Sequence, residues 1–205
     1  VVLGAGGHAK VVIAAMRAMG LRVDAVLDDN EARWGEVFHG VPVLGPIGEL
    51  SGWPGARAVI TLGNNARRRA VVEAHPEIDW LTVIHPSAIV HDSARVGQGS
   101  MVLWRAVVEP DAWVGMHAIL NTGAAVCHDA QVGDFAHVSV TSTLAGGAVV
   151  GAGVFLGMNA SVIGTARVGD WATVGAGAVV VRDIPAGATA VGVPARVIHQ
   201  PPSES

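Results

Sequence analysis

His128-Asp129 is the pair of residues in this chain of 205 best suited to move a proton. A carboxylate beside an imidazole favours the cationic form and raises its pKa. That improves a general base which must take a proton near neutral pH. The pair closes a polar run, Asn121-Thr122-Gly123-Ala124-Ala125-Val126-Cys127-His128-Asp129, and Gly133-Asp134-Phe135-Ala136-His137 follows closely. Cys127 is a possible nucleophile, but neighbours on an extended segment face opposite ways, so a buried or spectator thiol is expected. A metal held by His128 and His137 would need more ligands, and the sequence offers no HxH, HExxH or cysteine cluster. No metal is expected. His85, His91 and His117 read as solvated surface side chains, and His39, His75 and His199 fall in loops or the tail.

The element that must position the pair is a repeat. From Ile84 an aliphatic residue returns every sixth position through Val90, Val96, Val102, Val108, Val114, Leu120, Val126, Val132, Val138, Leu144, Val150, Leu156, Val162, Val168, Val174 and Val180. Four positions after each of the first sixteen stands a small residue, Ala or Ser in every case but Val154. A period of six fits neither a helix nor a flat strand and marks a repeated supersecondary unit. With the aliphatic residue inward and the small one at a corner, three hexads make a triangular coil. Seventeen hexads then give roughly 27 Å of prism at the ~4.8 Å spacing of paired strands. Gly-x-Gly at 97–99, 151–153 and 175–177 recurs where the bend is expected to need a residue without a Cβ. An antiparallel β-sandwich would instead show irregular strands and turn signals every 8 to 12 residues. Counting two residues past the inward Val126, His128 should point outward at a corner.

The residues before the repeat read as α/β. Val1–Leu3 is a buried strand, Gly4-Ala5-Gly6-Gly7-His8-Ala9 a glycine loop, and a helix runs to about Met19. Such a loop lets backbone N–H groups at a helix N-terminus approach an anionic phosphate. Strands are expected at Arg22–Leu27, Val41–Leu44, Ala58–Leu62 and Trp80–Ile84, with helices from about Ile47 and over about Ala66–His75. Gly4-x-Gly6-x-x-Ala9 followed by Asp28-Asp29 also matches the dinucleotide fingerprint. About 80 residues hold only half of that fold, however, so a smaller nucleoside diphosphate ligand fits better. The competing reading is that the glycines only pack helix against strand.

Composition narrows the classes further. Hydrophobic residues are 51%, charged residues 15% and the net charge −4, with no basic block to hold a nucleic acid. No apolar run reaches the ~18 positions of a membrane span. One cysteine excludes an intrachain disulfide and fits a reducing compartment, so a cytoplasmic location is expected. The chain opens inside an apolar run without Met, so residues preceding Val1 are expected as well.

These hexads resemble the hexapeptide-repeat acyltransferases. Gly-Ala-Gly-Gly-His-Ala-Lys-Val-Val near the start, Leu27-Asp28-Asp29, Gly63-Asn64-Asn65, Asn121-Thr122 through His137, and Val191-Gly192-Val193-Pro194-Ala195-Arg196 narrow the likeness. Together they are similar to the branch of bacterial sugar O- and N-acetyltransferases. The resemblance implies an α/β N-terminal half-Rossmann-like domain over residues 1–83, then a left-handed parallel β-helix over 84–185 and a C-terminal segment over 186–205. It implies acetyl transfer from acetyl-CoA to an amine of a nucleotide-linked sugar. A sialic-acid-type O-acetyltransferase and a non-catalytic binding module are the alternatives. Carried over by position, His128 is the base and Asp129 its polarising partner. His137 marks the acetyl-CoA end of the cleft, and Gly146, Met158 and Ala176 the pantetheine wall. Gly6, Gly7 and His8 cradle the diphosphate, Asp28 and Asp29 contact the nucleoside, and Gly63 with Asn64 forms the neighbouring wall. The resemblance also implies a homotrimer with each site between two prisms. Pro201–Ser205 reads as a disordered tail.

Overall fold

The computed structural model describes residues 1–201, so most of the expected tail, Pro202–Ser205, lies outside the described residues. Its first part is a six-stranded sheet. The chain runs β1 (Val2–Leu3), α1 (Gly7–Ala18), β2 (Val26–Leu27), β3 (Val37–Phe38), β4 (Val41–Gly45), β5 (Arg57–Ile60), α2 (Asn65–Ala74) and β6 (Asp79–Trp80). The strand order is β3-β4-β2-β1-β5-β6, parallel throughout except for the β3–β4 hairpin. The chain moves outward from β1 to β4, then returns to lay β5 on the other side of β1. Ligands of open parallel sheets sit at such a reversal, outside the carboxyl ends of the strands. Here that place is flanked by Gly4–Gly6 after β1 and Gly63–Asn64 after β5.

Three local expectations change. The strand expected over Arg22–Leu27 is confined to Val26–Leu27. The helix expected from Ile47 is a 3-10 helix over Ile47–Gly52. The single strand expected over Trp80–Ile84 is two: Asp79–Trp80 pairs with β5, whereas Val83–Ile84 pairs with Met101–Val102. Leu81 and Thr82 carry the chain from one sheet to the other. An apolar run shows extended chain but does not say which neighbour it pairs with.

The rest is the left-handed parallel β-helix. Two-residue strands stack in register at eighteen-residue steps, so that Val83, Met101, Ile119, His137, Phe155 and Thr173 are paired in line on the first face. The second face stacks Ile89–Val90 up to Val179–Val180, and the third Arg95–Val96 up to Arg167–Val168. Inward aliphatic and small residues from Val102 to Val180 form one buried core. Each buried Val or Leu side chain there is worth about 1.5–3 kcal/mol relative to exposure. The top coil is shortened, since Thr173 pairs with Thr189 rather than with a residue eighteen on. It ends in an antiparallel strand, Arg196–His199.

The corners revise the role of the glycines. From Val96 to Val174 the third residue after each inward aliphatic except Val162 adopts positive φ, yet Arg105, Asp111, His117, Asp129, Phe135, Thr141, Asn159 and Trp171 do so as well as glycines, with φ of 54–60°. The bend therefore does not require glycine. What does is stacking two positions earlier, directly after the inward aliphatic. A Cβ on Gly97, Gly115, Gly133, Gly151 or Gly169 would come within 2.6 Å of an atom of the next coil. The Gly133→Ala variant should lose about 1–3 kcal/mol in urea unfolding, because backbone rather than a flexible side chain must yield. Unchanged stability would show that the coils can spread there at no cost.

Candidate functional site

His128 stands at the corner between the second and third faces, after the Ala125–Val126 strand and before Gln131–Val132. Its Nδ1 lies 2.9 Å from Asp129 Oδ2, and both side chains are about two-thirds exposed. The Asp129 hydrogen bond raises the imidazole pKa against the opposing effect of desolvation, with lesser help from the charges of Asp129 and Glu109. An acceptor carboxylate on Nδ1 holds the proton there, which leaves Nε2 as the free base. Gly146 lies one coil above, and a Cβ on it would meet His128 Cε1 at 2.4 Å and Nε2 at 2.5 Å. The glycine is thus the bed on which the ring lies. Cys127 is half-buried beside Glu109, and burial followed by the Glu109 carboxylate pushes its thiol pKa up. That opposes thiolate formation, as a spectator role requires.

His137 lies elsewhere. It points outward from the first face, the side of the triangle opposite the His128 corner, and meets the α/β domain. Its ring is 6.1 Å from that of His8, on the first turn of α1. Asn121 Nδ2 lies 3.3 Å from His137 Nε2, and Phe155 packs edge-on at 5.3 Å. Burial, with the charges of neighbouring groups including Arg68, lowers His8 to about 4 and His137 to about 3. The Gly63 backbone works weakly the other way on His137. His8 Nε2 and His137 Nδ1 are buried without a hydrogen-bond partner of sound geometry. Buried polar atoms are rarely left so, and these two are free to meet a ligand or water.

Arg68 of α2 locks this junction. Its guanidinium donates to the carbonyls of His117, Phe135 and Leu62 and to Asn65 Oδ1, while Asn65 Nδ2 donates to the carbonyls of Gly153 and Val154. Burial lowers its pKa only to about 10, so it remains charged. His85 and His117, expected on the surface, are buried. His117 stacks on Phe135 at 5.2 Å and meets Trp80 edge-on at 5.6 Å, so its ring serves as interdomain packing. His75, expected in a loop, caps the C-terminus of α2 and is buried too.

The remaining expected residues fall in three groups. Gly6 and Gly7 line an open cavity of about 460 Å³ with Lys10 and Arg33. A Cβ on either would meet nothing within 4 Å, so helix packing does not demand glycine at these two positions. At Gly4 it does: φ is +99° and a Cβ would meet Thr61 Oγ1 and Leu62 Cδ2 at 3.0 Å. Asp28 and Asp29 line a neighbouring cavity with Arg67, but their oxygens already accept from Ala5 N and Asn30 N, and from Ile47 N, respectively. Gly63 and Asn64 face Phe155 and Trp171 across the domain junction. Met158 and Ala176 stack at the corner between the first and second faces, away from His128 and Gly146 but next to the face that bears His137. Among the described residues no group of three or more His, Cys, Asp or Glu converges as a metal would require.

A prism of hexads carrying an outward imidazole–carboxylate pair, joined to a glycine-loop α/β domain, defines a hexapeptide-type transferase architecture. The PglD N-terminal domain family matches residues 1–75, and the bacterial transferase hexapeptide family, of six repeats, matches residues 147–182. A variant of GDP-perosamine N-acetyltransferase from Caulobacter crescentus, solved with CoA and GDP-perosamine, is 38% identical at a TM-score of 0.91, covering 97% of this chain and 96% of that one. The acetyltransferase domain of PglB from Neisseria gonorrhoeae, solved with acetyl coenzyme A, is 36% identical at a TM-score of 0.89, covering 96% and 97%. UDP-N-acetylbacillosamine N-acetyltransferase of Bacillus subtilis is 40% identical over 109 residues, half of each chain. The chain spans half the length or less of the curated relatives it matches. It belongs to the hexapeptide-repeat acyltransferase family, in the branch that holds the nucleotide-amino-sugar N-acetyltransferases.

The buried imidazoles set a pH dependence. His8, His117 and His137 have folded pKa values of about 4, 4 and 3 against 6.5 when unfolded. Below pH 6.5 the unfolded chain takes up protons that the fold refuses, so stability should fall from there down to about pH 3, the last part through His137 alone. Above pH 6.5 these three groups should contribute no slope. Urea unfolding across this range checks it, and a flat profile on the acid side would contradict it.

Proposed function

We propose that the protein transfers acetyl from acetyl-CoA to an amine on a nucleotide-linked sugar, with His128 as general base. The observation that carries this reading is the His128–Asp129 pair lying on the bare backbone of Gly146, with its Nε2 edge free. The relatives solved with CoA and GDP-perosamine support the donor and the acceptor class. The N-acetyltransferases among the relatives favour an amine over a hydroxyl acceptor.

In the reaction, His128 Nε2 takes a proton from the amine as nitrogen attacks the thioester carbonyl. The tetrahedral oxyanion collapses, the C–S bond breaks, and the imidazolium returns the proton to the departing CoA thiolate. The Gly146 N–H has no acceptor among the described residues and belongs to the glycine on which the imidazole lies, so we assign it as the donor to that oxyanion. No covalent enzyme intermediate is needed. The diphosphate is assigned to Gly6 and Gly7, with Lys10 and Arg33 beside it, and the nucleoside to the Asp28–Asp29 side. The acceptor sugar lies toward Gly63 and Asn64, and His8 faces His137 rather than the diphosphate cavity.

The prism geometry supports a homotrimer. His128 and His137 point away from one another in a single chain, so one site can use both only if a second prism supplies one of them. Met158 and Ala176 share the His137 side, which suits a pantetheine arm lying between two prisms. We assign residues 1–83 to nucleotide-sugar binding and 84–185 to acetyl transfer, with 186–205 the C-terminal segment, of which Thr189–Val191 and Arg196–His199 close the top of the prism. Cytoplasmic action fits the lone cysteine and the acetyl-CoA donor. Among the described residues no helix is long and apolar enough to cross a membrane.

His128→Ala should lower kcat by roughly 100-fold or more, as expected for removal of a general base, while CoA still raises Tm through binding. The assay is acetyl-CoA consumption with a panel of UDP- and GDP-amino sugars beside free sialic acid. Full activity in the variant would remove His128 from the mechanism, and preference for sialic acid would overturn the amine acceptor.

A further inference from the structure

The second N–H after each inward aliphatic faces out of its turn, with no place in the ladder between coils. Where a side chain caps such an N–H from another coil, the carboxylate comes from two directions. Met116 N and Ala152 N donate to Asp134 Oδ1 and Asp170 Oδ1, each from the coil above. The equivalent group at the base is His128 N, which donates at 2.9 Å to Glu109 Oε2 from the coil below. The coil above could not serve His128 in the same way, because Gly146 occupies that place and must stay bare for the ring. Directly beneath His128 lies Pro110, whose carbonyl accepts from Asp129 N.

We propose that Glu109 is a positioning residue for acetyl transfer: by clamping the main chain of His128 from below, it fixes where the imidazole lies over Gly146. The inference rests on His128 being the base. Backbone bonds from Asp129 N to the Pro110 carbonyl and from Gly147 N to the His128 carbonyl hold the rest of the turn to its neighbouring coils. Glu109 supplies the bond that holds His128 by its own N–H. Its second effect is on Cys127, which neighbours the base and is the side chain best able to compete for an acetyl thioester. The Glu109 carboxylate opposes ionisation of that thiol. One side chain therefore holds the base in place and its nearest rival inactive.

The test compares wild type with Glu109→Ala, Glu109→Gln and Asp170→Ala, measuring kcat, KM and Tm across the neutral pH range with an accepted amino sugar. Glu109→Ala should lose roughly 10- to 100-fold in kcat, the scale of a misplaced catalytic group, with little change in either KM. Glu109→Gln keeps an acceptor oxygen, so it should restore most of kcat, while its acidic limb moves to lower pH because a negative charge near the imidazolium is gone. Asp170→Ala removes a cap of the same kind far from His128, and should lower Tm without lowering kcat. Wild-type kcat in Glu109→Ala, or a loss no greater than in Asp170→Ala, would overturn the proposal. If Glu109→Ala does not fold, a Glu109→Gln variant that keeps the wild-type Tm yet loses kcat as severely as His128→Ala overturns it instead. A wild type inactive on every amino sugar, or a fully active His128→Ala, would overturn the functional reading and this inference with it.

Discussion

Everything in the prism follows from one constraint, that each short strand must pair in parallel with the strand eighteen residues later. With three hexads to a coil, a residue's position modulo eighteen decides its corner, and modulo six decides whether it points in or out. Inward positions are spent on Val, Leu and Ala, so chemistry is confined to the outward positions and the corners. His128 over Gly146, Glu109 under Cys127 and His117 beside Phe135 are all consequences of that stacking. Glycine is needed mainly where one coil's backbone presses on the next, and much less where the chain turns.

The second determinant is the junction between the two sheets. A buried guanidinium without an acidic partner is costly unless its donors are met, and Arg68 finds carbonyls on the prism and on β5's exit loop. Burial keeps the surrounding imidazoles neutral, and the nearby Arg68 charge adds to that effect. Neutral His8 and His137 with unpartnered nitrogens can then meet a ligand by hydrogen bonding without the cost of a second buried charge. Beyond the nucleotide-sugar binding proposed for it, the α/β domain presents His8 to the same face that carries His137.

Much of this was legible in the sequence, and the exceptions have physical causes. The period of six gave the prism and the outward His128, because a strict repeat turns sequence spacing into geometry. Glu109 was readable in principle by the same ruler, being one residue off a full coil from His128, but a lone carboxylate carries no signal until the neighbouring N–H is known to lack a partner. The His8–His137 contact joins residues far apart in the chain across two domains, and no local pattern encodes such a contact. His85 and His117 looked solvated because outward positions of a prism usually are, and only the docked domain buries them. The apolar stretch through Trp80–Ile84 was rightly extended, yet its division between two sheets depends on which edge is open.

The central claim is that His128 of one chain works opposite His137 of another. It is tested most directly by complementation. His128→Ala and His137→Ala variants, each purified as an inactive assembly, would be unfolded together, refolded as a mixture and assayed for acetyl transfer. The account predicts that activity returns, because some mixed assemblies contain an interface with both native histidines. If the mixture forms mixed oligomers and stays as inactive as either parent, the two histidines do not meet between chains and the account is contradicted.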